Sequence, residues 1–220
     1  MEIKITTSNG VKLNTKGKFC DEDINVVVDD NVLNERMDAA ISGEISGNVI
    51  SNVAVLKDYA FSYCKNLKTI SLPNVTHIGG NAFRDCNSLI EFNAPKATGA
   101  GATVFSGCTA LKTIELPIAK IWGYTFYGCT SLQSARFPNV HTIMGSAFTN
   151  DYMLSDVYLG ANQLIVLEED TAFKYAGRDT ANKYCTVHVR PEFASQYANE
   201  TNWASSIANG YIQIVGDYTD

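Results

Sequence analysis

The side chains in this 220-residue chain best suited to chemistry are its six cysteines and three histidines. Four cysteines, Cys64, Cys86, Cys108 and Cys129, follow one another at steps of 22, 22 and 21. Thiols at a fixed step could ligate zinc, pair as disulfides, act as nucleophiles or simply pack. Zinc sites draw on C-x-x-C pairs or clustered histidines, and neither occurs. Stacked repeats would bring successive Cα atoms to about 5 Å, within reach of a disulfide. Their Cβ vectors would run parallel, however, leaving the Cβ atoms near 5 Å apart instead of about 3.5–4.5 Å. A column of buried structural thiols is the favoured reading, because free Cys packs as a small hydrophobe. Disulfide and zinc stand as the alternatives. Cys20 and Cys185 lie outside the column and have no assignable role.

Nucleophilic catalysis would need His77, His141 or His188 beside an exposed thiolate, and a buried thiol is inert. Gly99-Ala-Gly101-Ala-Thr103 has only a superficial likeness to a phosphate loop. No Gly-Lys-Ser follows it, and it fills the slot that Ile78-Gly-Gly-Asn81 fills one repeat earlier, so it reads as a turn. Asn74-Val-Thr76 and Asn199-Glu-Thr201 are glycosylation sequons by spelling. No catalytic residue, metal ligand or cofactor is assigned.

The elements that must position these residues come from one recurring phrase, Phe-x-x-Cys-x-x-Leu-x-x-(apolar)-x-(apolar)-Pro. Its copies are Phe61, Cys64, Leu67, Ile70, Leu72, Pro73; Phe83, Cys86, Leu89, Phe92, Ala94, Pro95; Phe105, Cys108, Leu111, Ile114, Leu116, Pro117; and Phe126, Cys129, Leu132, Ala135, Phe137, Pro138. A fifth copy, from Phe148, has Asp151 for Cys and Gly160 for Pro. A sixth begins at Phe173 with Ala176 at the Cys position and resumes, after an insertion over 177–183, at Cys185-Thr-Val187-His-Val189-Arg-Pro191. Degraded end copies are expected, since a terminal repeat has one neighbour and one wet side. Each unit also has an upstream half ending in Ala-Phe or its like, as in Val75-Thr-His-Ile78-Gly-Gly-Asn-Ala82-Phe83.

Lys68-Thr69-Ile70-Ser71-Leu72 alternates polar and apolar residues, which predicts a strand with Ile70 and Leu72 inward. Pro then stops it, having no N–H for the ladder. Copies in register would form a parallel sheet at roughly 4.8 Å spacing, so six turns make a rod about 25–30 Å long. A β-sandwich is the alternative, but sandwiches do not repeat the same Cys and Phe at a fixed step.

The phrase Ala-Phe-x-x-Cys-x-x-Leu-x-x-Ile-x-Leu-Pro resembles the BspA-like leucine-rich repeat of bacterial surface and phage-associated proteins, over about 49–191. That resemblance implies a right-handed leucine-rich-repeat solenoid, mostly β, with one short parallel strand per repeat and little helix. Val187-His-Val189-Arg-Pro191-Glu-Phe193 through Tyr197 and Trp203 resembles the family's last unit, where a helix and a Trp close the apolar end. The opening, from Ile5 through Gly17, Cys20 and Val28, resembles a short module of prophage and tail-associated proteins of Gram-positive bacteria. In a protein resembling bacterial ones the two sequons carry little weight.

Three parts are therefore expected: 1–48, an N-terminal β module plus capping helix; 49–191, about six repeats of period 21–25; and 192–220, a C-terminal helical cap. Two or three strands occupy 1–28, with turns at Asn9-Gly10 and Lys16-Gly17. Spacings of three and four predict a helix over 31–41, capped by Asp30 or Asn31. The stretch 42–47 reads as a flexible join. A second helix is expected from Pro191 to about Ala198, and a terminal strand over Tyr211-Ile-Gln-Ile-Val215.

Composition limits the partners. The net charge is −6, the pI about 5.1, and Lys and Arg form no cluster, which argues against nucleic acid and anionic membrane. No run approaches the roughly 18 apolar residues of a membrane span, so membrane insertion is not expected. Met1-Glu-Ile-Lys-Ile is no secretory signal. A native Met1 implies a cytoplasmic or virion-associated protein; a removed signal implies an extracellular or cell-surface one.

The candidate binding surface is the outward strand stripe: Thr69/Ser71, Glu91/Asn93, Thr113/Glu115, Ser134/Arg136, Asp156/Tyr158 and Thr186/His188. It reads as polar and mildly acidic, and solenoids use such faces for partners, although a solvated sheet face would look the same. Tyr63, Tyr127 and Tyr175 are read as sharing one turn position, with Trp122 and Tyr124 before Phe126. They are interface anchors or packing between turns. The expected function is non-enzymatic recognition or adhesion, with a protein or cell-surface macromolecule as partner. The alternative is a structural spacer or assembly part of a prophage or tail-like particle.

Overall fold

A computed structural model of the chain describes residues 5–7, 12–13, 25–28, 46–51 and 53–219. Four strands open it: β1 (Ile5–Thr7), β2 (Lys12–Leu13), β3 (Asn25–Val28) and β4 (Ser46–Ser51). β1 pairs antiparallel with β2 and β3. β3 then pairs parallel with β4, so module and repeats share one sheet. Ser46 and Gly47, read as part of a flexible join, lie in β4, because their backbone pairs with the first long repeat strand. The turns at Asn9-Gly10 and Lys16-Gly17, the 31–41 helix, Cys20 and the rest of the join lie outside the described residues.

Each repeat contributes a two-residue strand and a longer one. The first three pairs are β5 (Val55–Leu56) and β6 (Asn66–Ser71), β7 (His77–Ile78) and β8 (Glu91–Asn93), and β9 (Gly99–Ala100) and β10 (Thr113–Glu115). The next three are β11 (Lys120–Ile121) and β12 (Ser134–Phe137), β13 (Thr142–Ile143) and β14 (Asp156–Leu159), and β15 (Val166–Leu167) and β16 (Cys185–Val189). The upstream half of each unit, read only as an apolar stretch and a turn, thus adds a second parallel ladder. Long strands run in the orders β2-β1-β3-β4-β6-β8 and β10-β12-β14-β16-β17, short ones β5-β7-β9 and β11-β13-β15, where β17 is Ile212–Gly216.

Between the two ladders lies a turn arm built around the repeat Phe. The residues two before and two after it take positive φ: Tyr59 and Tyr63, Asn81 and Asp85, Thr103 and Gly107, Tyr124 and Gly128, and Ser146 and Asn150. This alternation aims every second N–H along the solenoid axis. In the second repeat Asn81, Phe83 and Asp85 donate to Ala102, Val104 and Ser106 of the third at 2.8–2.9 Å. These bonds hold the repeats together where the long-strand sheet divides between β8 and β10.

The Phe side chains themselves stack face to face along the axis. Successive ring centroids from Phe61 to Phe173 are 5.1–5.5 Å apart and within 11° of parallel. All six rings are fully buried. The last faces Trp203 at 6.1 Å, and Trp203 meets Tyr197 edge-on at 4.9 Å.

The C-terminal cap closes each arm of the sixth repeat separately. β17 extends the long-strand sheet in parallel beyond β16. Helix α1 (Pro191–Ala194) is shorter than the expected run to Ala198, giving way to a 3-10 turn at Tyr197–Asn199. The longer helix α2 (Thr201–Ala208) carries Trp203. Its indole N–H donates to Ile165 O at 2.8 Å, while Ile165 N–H donates to the Tyr197 hydroxyl at 3.2 Å. Asn202 donates to the carbonyls of Leu167 and Glu168, both at 2.8 Å. Backbone groups that a seventh repeat would satisfy are satisfied by the cap, as a solenoid end requires.

Candidate interaction face

The cysteine column is built from backbone geometry that recurs in each repeat. Cys86 Sγ–H donates to Phe61 O at 3.0 Å, Cys108 to Phe83 O at 3.1 Å and Cys129 to Phe105 O at 3.1 Å. The same carbonyls accept the N–H of the Cys three residues on, in their own repeat. Cys64, Cys86, Cys108, Cys129 and Cys185 are all free and buried. Contact with the Cys86 thiol, then burial, pushes the Cys64 thiol far up. Burial raises Cys108, Cys129 and Cys185 well above the ordinary thiol value. A protonated, enclosed thiol is neither nucleophile nor ligand. Leu67, Leu89, Leu111 and Leu132 complete the core beside it, with no exposed surface.

Asp151 takes the Cys position in repeat five and is fully buried. One carboxyl oxygen accepts Cys129 N–H at 2.8 Å; the other has no hydrogen-bond partner. Burial raises its acid well above the ordinary carboxylate range. Nothing in the sequence beyond the departure from the phrase signalled this.

The twelve stripe residues all face away from the core, in register within each of the two long-strand sheets. Thr69 pairs with Glu91 and Ser71 with Asn93. Thr113 and Glu115 pair with Ser134 and Arg136, those with Asp156 and Tyr158, and those with Thr186 and His188. Glu91, Asn93, Thr113 and Glu115 are exposed; the other eight are half-buried.

The stripe has two unlike halves. Repeats one to three present an open acidic-polar surface, with Asn93 Nδ2 donating to Ser71 Oγ at 3.3 Å. Over repeats four to six lie residues 217–219, which cross the outward face at the strand ends. His188 sits between two carboxylates, with Nε2 2.9 Å from Asp156 and Nδ1 2.7 Å from Asp217. Both ring nitrogens can donate at once only in the imidazolium form. The Tyr158 ring stacks on His188 at 4.3 Å and 11°. Burial, with Asp156 and Asp217 beside it, raises the Tyr158 phenol. Arg136 lies over the Tyr218 ring at 4.6 Å and donates to Thr219 O at 3.2 Å. No local pattern in the sequence signals this crossing.

The turn arm exposes its own aromatics. Tyr63 and Tyr175 are equivalent, each two residues after its Phe with φ +64°, and about two-fifths exposed. Tyr127 does not share their position. It is one place earlier, and Gly128 at φ +73° is the equivalent residue. Tyr127 instead meets Tyr124 at 5.6 Å, beside Trp122, whose ring carries Lys120 Nζ at 4.1 Å.

Among the described residues no helix is long and apolar enough to cross a membrane, and no group of three metal-ligating side chains converges. What the geometry offers is a ribbon-like scaffold with a patterned outer face, suited to binding.

No curated protein matches the chain. A solved structure, a leucine rich cell surface protein from Faecalibacterium prausnitzii, is similar at 16% identity and a TM-score of 0.48, over 66% of this chain and 55% of that one. The chain thus spans only about half of that protein's length. The BspA type leucine rich repeat region matches residues 49–177 in six copies. With that match and the stacked Phe and Cys columns, the chain belongs to the BspA-type leucine-rich-repeat family.

Proposed function

We propose that this non-enzymatic repeat protein recognises a protein or other cell-surface macromolecule through the outward face of its long strands, in an adhesion role. The observation that carries this is the register of the stripe. Thr69 sits directly beside Glu91 and Ser71 beside Asn93, and Thr113 and Glu115 follow on the next long strand across the break in the ladder, so the open half presents an acidic-polar surface. Such a surface fits a partner of complementary charge, since juxtaposed potentials set orientation and on-rate.

Site-specific photo-crosslinking tests it against purified surface proteins and cell-wall polysaccharides. A crosslinker at Asn93 or Glu115 is expected to trap the partner, and one at Arg84 on the turn arm is not. Equal capture from Arg84 would overturn the reading.

A second reading, that the rods are spacers in a prophage or tail-like assembly, has one supporting observation: β3 and β4 run the N-terminal module into the repeat sheet. It expects capture to survive substitution of Glu91 and Tyr158 and to be lost on deleting 1–28.

A further inference from the structure

We infer that the strand face of repeats four to six is a docking groove for a peptide segment placing a carboxylate next to an aromatic ring, and that residues 217–219 occupy it as an intramolecular stand-in. The inference rests on the reading that the strand face binds partners, and it names the ligand class for half of that face.

The contacts of Asp217, Tyr218 and Thr219 are those of a bound peptide. The Asp217 carboxylate meets His188 Nδ1 at 2.7 Å. The Tyr218 ring is 3% exposed, with the Arg136 guanidinium at 4.6 Å from its centroid and that of Arg190 at 5.7 Å, both within the range of a cation–π contact. Tyr218 N–H donates to Val189 O at 3.0 Å, and Thr219 O accepts from Arg136 at 3.2 Å. Charge, ring and backbone are each read by a separate group, as in recognition of extended peptides at sheet surfaces.

The receiving groups are held in place by residues other than the tail. Asp156 and the Tyr158 ring orient His188, and Arg190 Nε donates to Gly160 O at 3.0 Å. The sequence of repeat five also makes room. Where the first four copies have Pro73, Pro95, Pro117 and Pro138, the fifth has Gly160. A Cβ there would lie 2.5 Å from Tyr218 Oη and 2.8 Å from Pro138 O, so glycine makes room for the ring as well as for the carbonyl of the neighbouring repeat. The departure from the phrase and the seated tyrosine are two halves of one fit.

Because residues 217–219 follow β17 directly, they occupy the groove as an intramolecular competitor of any free peptide. A partner peptide must displace them, and the groove is closed until one does.

The test uses the full chain and a fluorescein-labelled peptide of residues 215–219, Val-Gly-Asp-Tyr-Thr, read by anisotropy. The Asp217→Ala/Tyr218→Ala chain is expected to bind it saturably and at least tenfold tighter than the wild-type chain. A peptide with Ala at the Asp and Tyr positions should not bind. Equal binding by the two chains, equal binding of the Ala peptide, or no binding to the opened chain overturns the inference. Gly160→Ala offers an independent check. It should speed hydrogen exchange of the Tyr218 amide tenfold or more, and unchanged exchange overturns the fit argued for Gly160. If the peptide fails while crosslinks at Asn93 persist, the groove falls and the recognition reading stands. If crosslinks fail while the peptide binds, the reverse holds.

Discussion

Replacing Asp151 should stabilise this protein at neutral pH. The carboxyl is fully buried, receives Cys129 N–H on one oxygen, and leaves the other without a partner. Burial holds its native acid well above the ordinary value. For an acid raised on folding, the native state binds the proton more tightly. Stability from this group is therefore full below the unfolded-state pKa, near 3.9, and is lost as pH rises toward the native value. Each pH unit above 3.9 costs about 1.4 kcal/mol while the native acid keeps its proton, a ceiling of about 4 kcal/mol at pH 7.

Asp151→Asn removes the proton equilibrium and keeps the acceptor for Cys129 N–H. By the repeat register the equivalent acceptor for its amide is Phe126 O, which a Cys there would use. Allowing for imperfect satisfaction, the expected gain at pH 7.5 is about 1–3 kcal/mol. At about 2–4 °C per kcal/mol for a chain of this size, the melting temperature rises by about 2–12 °C. Asp151→Cys, which restores the phrase, should move the same way. Thermal unfolding followed by circular dichroism at pH 7.5 and pH 3.5 reads both, and the advantage over wild type should vanish at pH 3.5. No gain at pH 7.5, or the same gain at both values, would refute the argument.

Two further outcomes follow from the columns. Mass-spectrometric mapping of thiol alkylation at pH 8 should find Cys64, Cys86, Cys108, Cys129 and Cys185 unmodified in the folded chain and fully modified in denaturant, because all five are buried. Modification of Cys108 without unfolding would contradict the column. Gly101→Ala and Gly128→Ala separate close approach from backbone strain. A Cβ on Gly101 would lie 2.5 Å from Gly80 N, whereas at Gly128 nothing lies within 4 Å and only the positive φ resists. Denaturant unfolding should show the former loss exceeding the latter, which is expected at about 1–2 kcal/mol; the reverse order would refute the packing account.

Most of the repeat architecture was legible because the chain states it six times. Phe, Cys and Leu at a fixed step force stacking, and alternation ahead of Pro places Thr69, Glu91 and Arg136 outward without reference to anything remote. The short strands were not legible: two residues such as His77–Ile78 are too few to show a period. Helix α2 is only eight residues long, and its anchoring through Trp203 to Ile165 spans 38 positions. The tail was least legible of all. Arg136 meets Thr219 across 83 positions, a contact no local pattern encodes. Tyr127 was misplaced for a simpler reason. The turn position is defined by backbone handedness, which Gly128 satisfies, and not by the presence of an aromatic ring.

The departures from the phrase gather in repeats five and six, and they are of two kinds. Leu154, Val157 and Leu159 keep the core apolar, so the departures are not general decay. Asp151 stops the thiol column one repeat after Cys129, and its cost is internal, paid within the packed Phe and Cys arms. Gly160 leaves the Phe stack intact and opens the strand end to Tyr218, while also giving room to the Pro138 carbonyl beneath it. A substitution that spares the core and changes only what the surface can hold is where specificity enters a repeat fold, because the backbone is already fixed by its neighbours. On the groove inference, specificity in repeats four to six enters through Gly160, which breaks the phrase, and through His188, Arg190 and Arg136 at positions that the phrase leaves free.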